Sequence, residues 1–316
     1  MRTSRRALLG ATLASSAGAL LPTPAAAKGE PALPSSEELE PFEITLAGSK
    51  LARRCLLLVP RRTKPSHLLL LCHGLGETAS ESMGIRAWAE RYGLLSAYHR
   101  LSKPPVSALL PERRLYDEAL GRKLNEGLAR APFRGFAIAC PFTPNVYKAP
   151  STDVALERYA AFIEEALLPE LKARLSLGPE RSRVAIDGVS LGGYVSLEVF
   201  LRRPESFGAV GTVQGAFGVS LAEIYAARLE KVFKASAARF VRVATSSQDP
   251  FRAGAERLSA RLRDKGFDPT FSLTKGPHDQ FWLREMGTLE LLYDHARHFE
   301  PFAAGVATKA ALGKEP

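Results

Sequence analysis

The run Leu68-Leu69-Leu70-Leu71-Cys72 is apolar at every position. A strand with one face in water alternates polar and apolar side chains, so an unbroken run of strand length must be covered on both faces. Similar runs recur at Gly135-Phe136-Ala137-Ile138-Ala139-Cys140, Arg183-Val184-Ala185-Ile186 and Ala209-Val210-Gly211-Thr212-Val213. Two more follow at Phe240-Val241-Arg242-Val243-Ala244 and Thr270-Phe271-Ser272-Leu273. Segments with helical spacing of apolar residues separate them, at 155–175, 194–202, 249–265 and 283–298. Strand–helix alternation of this kind predicts an α/β fold, a mainly parallel sheet with helices on both faces. Before it, Phe42-Glu43-Ile44-Thr45-Leu46 alternates and Cys55-Leu56-Leu57-Leu58-Val59 stops at Pro60. These two read as an antiparallel hairpin at a sheet edge, bringing the count to about eight strands. The segment 101–132 is charged, partly helical in pattern and hard to place.

Length and charge narrow the class. A chain of 316 residues can bury the core of one sizeable domain. The formal net charge is +10, of which Arg2, Arg5 and Arg6 supply three. The remaining basic residues are scattered, without the basic run or aromatic interleaving of a nucleic-acid surface, so no nucleic-acid partner is expected. Cys55, Cys72 and Cys140 all fall in strand-like runs and read as buried apolar residues, although one bridge between neighbouring strands stays open.

The N-terminus combines Arg5-Arg6, an apolar stretch diluted by Gly, Ser and Thr, and Ala25-Ala26-Ala27. That is the pattern of a signal peptide, and Ser4-Arg5-Arg6 before Leu8-Leu9 resembles the twin-arginine type, with Gly10 where that motif often has Lys. The expected organisation is a signal peptide at 1–27, a flexible tail at 28–41, one domain at 42–300 and a C-terminal tail at 301–316. Export to the periplasm or outside follows, without a stable membrane anchor. Nothing in the sequence sets the oligomeric state.

The chemistry is concentrated at Asp187-Gly188-Val189-Ser190-Leu191-Gly192-Gly193, between a strand and a helical segment. A G-x-S-x-G turn in that context holds its serine on a strained backbone at the carboxyl edge of the sheet, and bulky neighbours would prevent the turn. Its following N–H, that of Leu191, opens a helix and faces developing negative charge. A serine hydroxyl needs a base. His278 lies after the last strand; His67, His99, His295 and His298 read as strand-edge, helix-end or surface residues. Asp249, after the preceding strand, is the orienting acid, though read alone it also suits a helix N-cap before Pro250. Asp279 and Asp153 are the alternatives. His73-Gly74-Leu75-Gly76-Glu77 follows a strand, and its glycines let backbone N–H groups approach a substrate oxygen, the second donor being Leu75 within one residue. Metal-ligand spacing and phosphate or dinucleotide fingerprints are absent from the sequence, so neither metal nor cofactor is expected.

These motifs, with Gly276-Pro277-His278-Asp279 and Pro204-Glu205-Ser206-Phe207, resemble the putative-esterase branch of the α/β-hydrolases. That branch includes S-formylglutathione hydrolases, feruloyl and acetylxylan esterases, and mycolyltransferases. The resemblance covers roughly residues 42–299 and implies an α/β-hydrolase fold with a Ser190–Asp249–His278 triad acting on a small-molecule ester. Acyl transfer or cleavage of short peptides would use the same site. A non-catalytic binding protein on the same fold is the rival class.

Between the sixth and seventh strands only about 25 residues are available, too few for a separate cap domain. Pocket walls are therefore expected from Gly74, Gly76, Phe142, Tyr147, Gln214, Phe217 and Trp282 on the carboxyl-edge loops. An open site of this kind favours soluble esters with short acyl or aromatic groups.

Overall fold

The computed structural model describes residues 34, 36–46, 52–235 and 240–300. The expected signal peptide, half of the 28–41 tail and the C-terminal tail lie outside these residues. Eight strands form one sheet: β1 (Leu39–Thr45), β2 (Arg54–Pro60), β3 (Leu68–Cys72), β4 (Ala137–Pro141), β5 (Val184–Gly188), β6 (Ala209–Val213), β7 (Phe240–Gln248) and β8 (Thr270–Pro277). Their order is β1-β2-β4-β3-β5-β6-β7-β8. Strand β2 is antiparallel to both neighbours, and every other pairing is parallel.

Strands β3, β4, β5 and β6 are buried at every position, so both faces of the central sheet are covered. Strand β1 alternates instead, as an edge strand should. The helices are α1 (Glu81–Glu90), α2 (Leu94–Ser102), α3 (Glu118–Arg130), α4 (Thr152–Phe162), α5 (Leu168–Leu175), α6 (Leu191–Arg202), α7 (Val219–Lys234), α8 (Arg252–Asp264), α9 (Gln280–Trp282) and α10 (Thr288–Phe299). Ser80, Asp117 and Ser151 cap α1, α3 and α4 by accepting a hydrogen bond from the third residue onward. Among the described residues no helix is long and apolar enough to cross a membrane.

Several boundaries move. Strand β1 begins at Leu39, three residues before the expected domain start, and its residues pair with β2 out to Leu39 opposite Pro60. The helix expected from Asp249 begins at Arg252. Segment 101–132 holds the end of α2, a connection and α3. The connection is tied down by Glu285, which accepts from the N–H groups of Leu109 (2.7 Å) and Leu110 (2.6 Å). Among the described residues, the stretch between β6 and β7 provides the single helix α7 and no cap domain. All three cysteines are buried and free, so the bridge left open by the sequence is not formed.

Candidate active site

The turn after β5 has the strain its sequence requires. Ser190 has φ +56° and ψ −118°, a region that costs a residue with a side chain on the order of 1–3 kcal/mol. Backbone hydrogen bonds hold it there. Ser190 N–H donates to Val213 O (2.9 Å), Gly192 N–H to Val189 O (2.7 Å) and Ala216 N–H to Ser190 O (2.9 Å). Gly192 is obligatory for a different reason from flexibility: a Cβ there would lie 2.2 Å from the carbonyl oxygen of Cys72, and backbone cannot move aside. The half-buried Ser190 thus sits at the carboxyl end of β5, and helix α6 opens with Leu191.

Asp249 and His278 come together across β7 and β8. His278 Nδ1 lies 2.8 Å from Asp249 Oδ1. The Asp249 side chain is fully buried, while His278 keeps 25% of its side chain exposed. Asp249 Oδ1 also accepts from Phe251 N–H (3.0 Å), and Oδ2 accepts from Thr245 Oγ1 (2.6 Å). With its oxygens so occupied, the carboxylate is fixed and leaves His278 Nδ1 as the hydrogen-bearing nitrogen, so Nε2 is the one able to accept a proton. The late start of α8 matters here, because it keeps Asp249 in a turn rather than on a helix. Among the described residues no hydrogen bond joins the Ser190 hydroxyl to His278, and such bonds are often loose before substrate arrives. The two other acids are otherwise engaged. Asp279 caps α9 through Trp282 N–H (2.8 Å), and Asp153 pairs with Arg202 (2.5 Å).

Gly74, the first residue of the 74–77 turn, lies beside the serine. A Cβ on Gly74 would be 3.9 Å from Ser190 Cβ, whereas one on Gly76 would meet open space. Leu75 begins a short 3-10 turn, Leu75–Glu77. Among the described residues, neither the Leu75 N–H nor the Leu191 N–H has an acceptor. The Leu191 donor adjoins the strained serine and the Leu75 donor follows Gly74, and free donors of this kind suit an oxyanion. His73 is not part of this chemistry. It is buried, Nδ1 meets Gly74 O (2.9 Å), and Nε2 accepts from Thr143 N–H (2.9 Å). Burial pushes its pKa down to about 4, so it stays neutral.

Several expected wall residues are placed otherwise. Trp282 is completely buried, its Nε1–H donating to Thr274 Oγ1 (2.9 Å). Phe217 is buried edge-on against Tyr225. Gln214 is buried at φ +47°, and its amide donates to Ser246 Oγ (2.7 Å) and Pro277 O (3.0 Å), bracing the loop that carries His278. Phe142 is also buried, tilted against His73. Tyr147 is half-buried, stacked on Tyr194 one helical turn beyond Ser190. Phe251, not anticipated, lies edge-on to His278 at 5.8 Å between centroids.

His295 is likewise not a surface residue. It is buried and its Nε2 lies 2.9 Å from Asp187 Oδ2, in a cluster where Arg242 Nε meets Asp294 at 2.8 Å. The sequence signal was Asp187 itself, a carboxylate in an apolar strand that requires partners.

An eight-stranded sheet in this order, with only its second strand reversed and a serine turn after the fifth, is the α/β-hydrolase architecture. Residues 135–290 match the model of a family described as "Putative esterase", and that stretch contains Ser190, Asp249 and His278. The family match and the fold agree in making this chain similar to the putative-esterase branch of the α/β-hydrolases. Similar solved structures include a mutant of the feruloyl esterase module from Clostridium thermocellum complexed with sinapinate. It is 14% identical with a TM-score of 0.58, covering 82% of this chain and 89% of that one. A ferulic acid esterase from Anaeromyces mucronatus is 15% identical, TM-score 0.53, covering 82% and 95%. The enterobactin esterase from Shigella flexneri is 16% identical, TM-score 0.52, covering 83% and 61%. At these identities the likeness is one of fold. No curated protein matches the sequence.

Proposed function

We propose that this protein is an exported carboxylic ester hydrolase that works through an acyl-enzyme on Ser190. The observation that carries the reading is the His278–Asp249 hydrogen bond (2.8 Å), made by a fully buried carboxylate; the loop before His278 is braced through Gln214 to the segment that hydrogen-bonds the strained Ser190. His278 Nε2 takes the Ser190 proton as the oxygen attacks the ester carbonyl. Asp249 holds the ring and stabilises its cation. The Leu191 and Leu75 N–H groups receive the oxyanion. His278 then returns the proton to the leaving alcohol, and water, activated by the same ring, releases the acid.

The substrate class follows from what surrounds the serine. Among the described residues α7 is the one helix between β6 and β7, and a stretch this short is too small for a cap domain. The exposed Leu75 and the partly exposed Tyr147 and Phe251 offer apolar surface for a short acyl or aromatic group. In a series of chromogenic esters of graded acyl length, kcat/KM should peak at short or aromatic acyl groups. The rate should show no jump as substrate passes its solubility limit. A preference for emulsified long-chain esters would reject this substrate class.

Export rests on the leader sequence. Changing both Arg5 and Arg6 to Lys should hold the protein in the cytoplasm if the twin-arginine route serves it. Mature protein still reaching the periplasm would point to another route.

A further inference from the structure

We propose that Tyr92 and Glu77 are positioning residues for the loop that carries the Leu75 oxyanion donor, a role that rests on the reading of Leu75 given above. Gly74 N–H donates to Tyr92 Oη (3.3 Å), and the Tyr92 hydroxyl donates its proton to Glu77 Oε2. One side chain therefore ties together both ends of residues 74–77. Gly74 stands between this hydroxyl and the nucleophile: a Cβ there would lie 3.1 Å from Tyr92 Oη and 3.9 Å from Ser190 Cβ. The Leu75 carbonyl is pinned as well, accepting from Thr78 N–H (3.2 Å) and Thr78 Oγ1 (2.9 Å).

The far side of the tie is anchored in the body of the protein. The Tyr92 carbonyl accepts from Thr288 Oγ1 (2.6 Å) at the start of α10. Trp88 packs edge-on against the Tyr92 ring at 5.2 Å between centroids. Arg91 lies 3.5 Å from the second oxygen of Glu77. Burial and the Glu77 carboxylate push the Tyr92 pKa up, so the hydroxyl keeps the proton it donates. Glu77 and Tyr92 are both almost completely buried. Sinking a carboxylate costs free energy unless it is well partnered, and an apolar residue could fill the same space without that cost. Here the buried carboxylate fixes the peptide whose N–H must meet charge that exists only in the transition state.

A loosened oxyanion donor slows the chemical step and leaves ground-state binding nearly unchanged. Deleting such a donor outright costs about 100- to 1000-fold in kcat. Loosening one should cost less, so Tyr92→Phe is expected to lower kcat by about 10- to 100-fold with KM within about twofold. Glu77→Leu should behave alike. Glu77→Gln keeps an acceptor for the Tyr92 hydroxyl and should retain most of kcat. The measurement is steady-state hydrolysis of one soluble chromogenic ester by the purified full chain, with melting temperatures taken alongside and Ser190→Ala as reference. Tyr92→Phe with unchanged kcat, or with raised KM at unchanged kcat, overturns the positioning role. So does Glu77→Gln as slow as Glu77→Leu, the comparison that decides if Tyr92→Phe fails to fold. Should these failures occur while Ser190→Ala is inert, only the positioning role falls. An active Ser190→Ala removes the reading of the site and this inference together.

Discussion

Replacing Ser190 with alanine should abolish ester hydrolysis while leaving the protein folded. The hydroxyl makes no hydrogen bond to His278 in the structure, and the serine turn is held by its backbone, through Val213 O and Ala216 N–H. Alanine pays the same backbone strain as serine, so the melting temperature should barely change. Activity should change greatly, because members of a catalytic triad act as a unit. Loss of a nucleophile costs about a million-fold in kcat, roughly 8 kcal/mol of barrier. Steady-state assays at high enzyme concentration check this. Residual activity near the wild-type level would mean that the serine turn is decorative.

The second large effect is expected at Asp249. In Asp249→Asn the shape is kept and the charge removed. The buried side chain now presents an amide to His278, and the ring is free to take the other tautomer, with its hydrogen on the nitrogen that should accept the Ser190 proton. Thr245 still finds an oxygen, but the Phe251 N–H, which shares Oδ1 with His278, loses its acceptor, so stability should fall by about 1–3 kcal/mol. An expected drop in kcat of about a thousand- to ten-thousand-fold follows, some 4–5 kcal/mol of barrier. The measurement pairs kcat with a thermal melt. A variant that melts early and loses activity in proportion would assign Asp249 a structural task, as the N-cap reading of Asp249-Pro250 would have it.

Strands β3 to β6 were legible because burial on both faces leaves an almost wholly apolar run, with Asp187 and Thr212 the polar exceptions, a pattern that a loop seldom reproduces. The serine turn was legible for a related reason: Gly188, Gly192 and Gly193 cluster where a Cβ would strike backbone or a buried hydroxyl. Helix α1 was hidden by the same kind of contact. Gly84 in its middle argues against a helix, yet a Cβ there would lie 2.4 Å from His73 Nε2, so packing requires the glycine. Helix α3 hides similarly behind Gly127, packed under the hydroxyl of Tyr293. Wall residues were the least legible. An aromatic on a carboxyl-edge loop has the same sequence whether it turns toward solvent, as Phe251 partly does, or into the core, as Trp282 and Phe217 do. Thr245 and Tyr92 gave no signal, since each acts through a contact that only the folded chain creates.

The proposed hydrolysis requires a covalent bond at Ser190. The direct test is to react the full chain with a fluorophosphonate, measure the intact mass, and locate the adduct by peptide fragmentation. One adduct per chain is predicted, on Ser190, with none in Ser190→Ala and slow labelling in Asp249→Asn. Labelling on another residue, or ester hydrolysis that persists after the reagent has failed to react, would contradict it.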